Sequence, residues 1–111
     1  MVKAGALKKR YILFRLEGQD LDKEQMKRSL YAEALKFFGE FGLSIVALKL
    51  VEFDEKKNLG IIRCSREHYE SVLGFLALIE VLNGVPSRLR TLKSSGTVKS
   101  LESTFLSSQD K

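Results

Sequence analysis

The chain has 111 residues, 44% of them hydrophobic, and its 19 Lys and Arg against 14 Asp and Glu give a formal net charge of +5. That length fits one globular domain burying one core and leaves no room for two. A single cysteine, Cys64, excludes an intrachain disulfide framework, and no apolar run approaches the roughly 20 residues that cross a bilayer as a helix.

The N-terminal "MVKAGALKKR" lacks the apolar centre of a signal peptide, so a reducing, cytoplasmic setting is the expectation. Charge is distributed unevenly. Lys3, Lys8, Lys9, Arg10 and Arg15 stand in the first fifteen residues with no acid, and Pro86 to Leu101 is again purely cationic, whereas Glu17 to Glu55 is net acidic. Two separated basic segments make a polyanion partner the expectation if the fold brings them together, with nucleic acid ahead of an anionic membrane surface.

Residues 1–9 read as a basic flexible arm. "RYILFRLE", Arg10 to Glu17, alternates and is rich in β-formers, which predicts a strand. Asp20 and Asp22 are both suitable N-caps, and Met26, Leu30, Ala34, Phe37 and Phe41 repeat at helical spacing until Gly42. Leu43 to Asp54 and Leu59 to Ser65 are β-rich runs separated by "EKKN", predicting a hairpin. A second helix is expected from about Arg66 to Leu82, ending at Asn83-Gly84. Val85 to Leu92 reads as an edge strand beginning at Pro86. Thr97 to about Leu106 closes a single domain of residues 10–106 as a short helix, with 107–111 a frayed tail.

The order β-α-β-β-α-β predicts an α+β fold: an RNA-recognition/ferredoxin-like α/β sandwich with a four-stranded antiparallel sheet and an added C-terminal helix. Two helices cover one face of such a sheet. In the second strand Ile45, Ala47 and Val51 alternate with Val46, Leu48 and Leu50, so both faces are apolar and the other face also needs a cover. The last helix, through Val98, Leu101 and Phe105, is the nearest candidate; a partner is the alternative.

Base stacking on the sheet is not expected. The third strand has no aromatic, and Tyr11 and Phe14 of the first point to opposite faces. The cationic groups remain. Arg88 and Arg90, two apart, share a strand face, and Lys93, Lys99 and the turn Ser94-Ser95-Gly96-Thr97 add point charge and backbone donors at a helix start. An ordinary capped helix with solvated lysines accounts for the same residues.

In the second helix Tyr69, Val72, Leu76 and Ile79 supply the stripe that lies on a sheet, and Phe75, Leu78 and Leu82 form another. Deep burial and a partner or self-association surface both account for that second stripe. Catalytic equipment is not visible. His68 has no second ligand or nucleophile beside it, Cys64 reads as a small apolar strand residue, and helix capping accounts for Asp20 and Asp22. No Walker or dinucleotide-type glycine loop occurs. A ferredoxin-like protein-interaction or ligand-sensing module with an incidental basic patch stays open on these residues.

"RYILFRLE", "FDEKKNLGIIRCSREHYESVL" and "SRLRTLKSSGTVKSLE" resemble, in order and spacing, protein component 2 of archaeal ribonuclease P, kin to the eukaryotic Pop-five subunits. The most specific pieces are "GIIRCS", residues 60–65, and "RTLKSSGT", residues 90–97. The resemblance implies an RNA-recognition-like sandwich that is not catalytic by itself. It implies a subunit that binds ribonuclease P RNA for removal of the 5′ leader of precursor transfer RNA, which the protein meets only indirectly. It also implies protein component 3 as partner, often in a heterotetramer, and no cofactor held by the protein, the magnesium ions being placed by the RNA. The phosphate contacts would then fall to Arg88, Arg90, Lys93, Lys99 and the Ser94–Thr97 turn, with Lys8, Lys9 and Arg10 as a second group. Phe75, Leu78 and Leu82 would meet component 3 or a second copy.

Overall fold

The structure, a computed structural model, describes residues 8–107. The first seven residues of the expected arm and the tail from 108 onward lie outside the described residues, as does the side chain of Phe105.

Strand β1, Lys9–Glu17, is followed by helix α1, Lys23–Val46, and then by the hairpin of β2, Lys49–Asp54, and β3, Leu59–Ser65. A single 3-10 turn, Arg66–His68, leads into α2, Tyr69–Leu78; a small hairpin of β4, Val81–Leu82, and β5, Val85–Pro86, precedes β6, Arg88–Ser95, and α3, Val98–Ser107. The main sheet is antiparallel, in the order β2-β3-β1-β6. This is the α+β sandwich expected from the sequence, with the extra helix at its end.

Capping fixes where α1 begins. The Asp22 carboxylate accepts from Gln25 N at 2.7 Å and the Gln25 side chain accepts from Asp22 N at 3.1 Å, a reciprocal capping box. Asp20 instead accepts from Asn58 Nδ2 at 2.8 Å, tying the helix entry to the β2–β3 turn.

Two boundaries differ from the sequence reading. The first helix does not end at Gly42: Gly39 (φ 77°, ψ 168°) kinks it, and it resumes to Val46, with Ala47 in the left-handed region as its C-cap. Val46 is buried in the main core, so packing holds a β-branched segment helical. Ile45 is therefore a helix residue, not part of β2. The second helix stops at Leu78, because Ile79 is extended (ψ 125°) and Asn83-Gly84 is a hairpin turn rather than a helix end. Asn83 and Gly84 both have positive φ (52° and 76°), as a type I′ hairpin requires. Consequently Pro86 belongs to that hairpin, and the sheet's edge strand begins at Arg88.

The main core lies between the sheet and α1 plus α2. Ile12, Phe14, Leu16, Ile62, Cys64 and Leu89 from the sheet meet Met26, Leu30 and Ala34 of α1 and Val72, Phe75 and Leu76 of α2. Full burial of each large apolar side chain contributes about 1.5–3 kcal/mol. Gly60 makes one close contact possible: a Cβ there would lie 2.5 Å from the Phe14 ring, which stacks near Phe53 at 6.3 Å between centroids. The opposite face carries a smaller cluster of Leu13, Leu59, Ile61 and Leu101, flanked by Tyr11, Val51 and Val98. The last helix thus covers the centre of the second sheet face, the first of the two covers that the sequence left open.

The expected partner stripe on the second helix is corrected here. Phe75 is 2% exposed, against the rings of Phe37 and Phe38, and Leu82, now in the β4–β5 hairpin, is fully buried. Only Leu78 of the three is open, at 65%; Phe37, 49% exposed, lines one cavity with it, and Phe41 of α1 is 79% exposed. The sequence pattern hid this because Phe37 and Phe38, just before the kink in α1, pack over Phe75.

Candidate nucleic-acid interface

Antiparallel pairing of β1 with β3 sets Lys9 opposite Ser65, so the end of the N-terminal arm reaches the start of the 3-10 turn. Arg66 N donates to Lys8 O at 3.4 Å. Pairing of β1 with β6 places Tyr11 opposite Ser95, bringing the β6–α3 turn to the same corner. Lys8, Lys9, Arg10, Tyr11, Arg66 and Gly96 line one cleft of about 440 Å³ there. The arm and the turn, some 85 residues apart in sequence, therefore build one cationic site.

Arg10 is held in place at the edge of this cleft. Its guanidinium lies over the Tyr69 ring, 4.7 Å from the centroid, and Nη2 donates to Ser94 Oγ at 3.4 Å. Ser94 Oγ in turn shares a 2.6 Å hydrogen bond with the Tyr69 hydroxyl. A cation stacked on an aromatic face and fixed by a hydroxyl loses less side-chain entropy on meeting an anion than a free one. Burial pushes the nearby Cys64 thiol up to about 11, with Arg10 and Lys9 pulling the other way, so Cys64 is a neutral, buried packing group.

The other predicted contacts are arranged differently. The start of α3 is largely self-satisfied: Thr97 N donates to Ser95 Oγ at 3.2 Å, Ser100 N donates to Thr97 Oγ1 at 3.4 Å, and the Ser95 and Ser100 hydroxyls are also bonded to each other. The turn accordingly offers fewer open donors than a bare helix start. Arg90 and Arg88 lie toward the far end of β6, about 17 and about 23 Å from Ser95 at strand rise. Arg90 Nε pairs with Glu17 Oε2 at 3.0 Å, so its charge is partly offset within the chain. Lys99 stands exposed on α3.

Pairing assigns a face to each strand residue. Leu13 opposite Lys93, Arg15 opposite Arg90 and Glu17 opposite Arg88 all belong to the α3 face. Lys93 joins Arg88 and Arg90 there because the register shifts between Leu13 and Phe14, leaving Leu92 as an extra residue. Across the sheet, Arg63 and Lys49 share the same face, opposite Tyr11 and each other. Cations thus outnumber the carboxylates Glu17, Glu52 and Asp54 around the patch that α3 covers. Arg66, Arg63 and Lys49 were not offered as contacts from sequence, Arg15 was noted only as part of the basic first segment, and Tyr69 was read only as a packing residue of the second helix. Arg66 directly follows "GIIRCS", but only strand pairing shows what it stands beside.

Among the described residues no group of three His, Cys, Asp or Glu is placed to hold a metal ion, and no helix is long and apolar enough to cross a membrane.

Fold and cleft together define an RNA-recognition-like α/β sandwich with a cationic edge. The Rpp14/Pop5 family model matches residues 10–106, and the chain belongs to that family. It is 37% identical over 101 residues to ribonuclease P protein component 2 of Pyrococcus furiosus, spanning 90% of this chain and 84% of the relative. The same-named protein of Archaeoglobus fulgidus is 37% identical over 101 residues, 89% of each chain. A chain in the cryo-EM structure of yeast ribonuclease MRP superposes with a TM-score of 0.67 at 14% identity, covering 93% of both, and supports the fold.

Proposed function

We propose that this chain is a protein subunit of ribonuclease P that binds the catalytic RNA and stabilises its active shape during removal of the 5′ leader of precursor transfer RNA. The observation that carries the reading is the convergence of Lys8, Lys9, Arg10 and Arg66 on one cleft beside the β6–α3 turn. Such a cleft suits backbone phosphates: several fixed cations neutralise the repulsion between strands that otherwise has to be screened by magnesium. The chemistry and its magnesium ions belong to the RNA, and the protein contributes charge and position. Lys93, Lys99, Arg88 and, less strongly because of Glu17, Arg90 extend the contact along the α3 face.

Protein component 3 is the proposed protein partner. The exposed side chains that fit an apolar protein contact are Phe37, Phe41 and Leu78, in place of the buried Phe75 and Leu82.

The test is reconstitution with the RNA and component 3. The pure chain should show no cleavage, and its addition should lower the magnesium concentration needed for precursor cleavage; an unchanged requirement refutes the reading. Arg10→Ala with Arg66→Ala should weaken RNA binding and flatten the dependence of log K on log salt by about one to two. A ferredoxin-like interaction module with an incidental basic patch predicts no salt-sensitive RNA binding at all.

A further inference from the structure

Arg63 is the only charged residue of "GIIRCS", and the cleft does not use it. It lies on β3, on the face that α3 only partly covers, between Lys49 of β2 and Tyr11 of β1. The residue is half-buried, and its Nε is buried with no hydrogen-bond partner. Among the described residues no carboxylate pairs with it; Glu52, on the same face, is opposite Ile61 instead. A buried guanidinium nitrogen with no acceptor is a cost to the folded chain, and an anion bound against the guanidinium would offset that cost.

We infer that Arg63 is a phosphate-binding residue of a second contact on the sheet, seating a backbone phosphate of the bound RNA with Lys49 beside it and Tyr11 as the adjoining wall. Tyr11 also lines the cleft, so the two contacts are continuous, and one RNA strand passes from Lys8 and Arg66 onto the sheet toward Lys49. An arginine suits this position better than lysine, because its planar fork donates from several nitrogens to phosphate oxygens while the packed stem fixes the plane. This inference rests on the RNA-binding reading proposed above.

The experiment compares the full chain with Arg63→Met and Lys49→Ala. Binding to a fluorescein-labelled RNA stem-loop with a single-stranded tail is followed by anisotropy at several salt concentrations, and thermal unfolding is measured alongside. Arg63→Met removes an unsatisfied polar group and keeps the apolar stem, so its Tm should equal or exceed that of the parent chain. Its RNA affinity should nevertheless fall about tenfold, and the salt slope should drop by about one. Lys49→Ala should lower the slope similarly with a smaller loss of affinity. Parental affinity and slope in Arg63→Met, or a Tm several degrees below the parent, overturns the inference; the second outcome makes Arg63 a structural residue. Failure of the parent chain itself to bind the RNA at any salt takes down the RNA-binding reading as well, which separates the two failures.

Discussion

On one side of the sheet two helices bury Ile12, Phe14, Leu16, Ile62 and Cys64 in a continuous core, while on the other a single short helix seats Leu101 on Leu13, Leu59 and Ile61. The first side is closed to its margins. The second is apolar only at its centre, and its strand ends carry Arg15, Lys49, Arg63, Arg88, Arg90 and Lys93. The contrast separates two jobs that compete when they share a surface. Residues of the thick side hold the fold and tolerate little change in volume. Those at the margin of the thin side carry charge at small cost to stability, so substitutions there can alter RNA contact while the domain stays folded.

The sharpest way to break this comparison is on the thick side. Phe75→Ala should cost about 3–5 kcal/mol in urea unfolding, whereas Phe41→Ala, at 79% exposure, should cost less than about 0.5 kcal/mol. Equal costs would return Phe75 to the surface and restore the partner stripe that the sequence pattern allowed. A smaller effect is expected under α3, where Leu101→Ala should cost about 2 kcal/mol and raise amide exchange in that helix without unfolding the main core. The smallest belongs to the margin: Glu17→Gln should change stability by less than about 0.5 kcal/mol, because its Arg90 partner is 62% exposed. The same substitution frees Arg90 and should tighten RNA binding, read as a higher affinity at low salt that disappears at high salt.

Much of the fold was legible because local signals and tertiary packing agreed. β1 and the β2–β3 hairpin followed from alternation and turn residues, and capping chemistry narrowed the start of α1 to Asp20 or Asp22, of which Asp22 is the cap. Ambiguity arose where one signal serves two structures. Asn83-Gly84 fits a helix end or a type I′ hairpin, and the extended Ile79 decides for the hairpin. The run Leu43–Val46 has strand character, but burial of Val46 against the core keeps it in α1 beyond the kink at Gly39. For the site, the sequence offered Lys8, Lys9 and Arg10 as a second group and Gly96 within the turn; the structure brings them to one cleft, and Arg66 beside them was not offered. Nothing local marks Arg66, since its value comes from a strand register linking residues more than fifty apart. The pairing of Arg90 with Glu17 was likewise invisible, because the two meet only across β1 and β6.

Leu92 is the one residue by which the edge strand exceeds its neighbour, taken up as a bulge. Deleting that one codon would close the bulge and leave Lys93 opposite Leu13, on the α3 face, and Ser94 opposite Ile12, beside Tyr69 and Arg10. A lineage can therefore gain or lose this one residue while the rim of charge keeps its face and every residue of the large core keeps its neighbours.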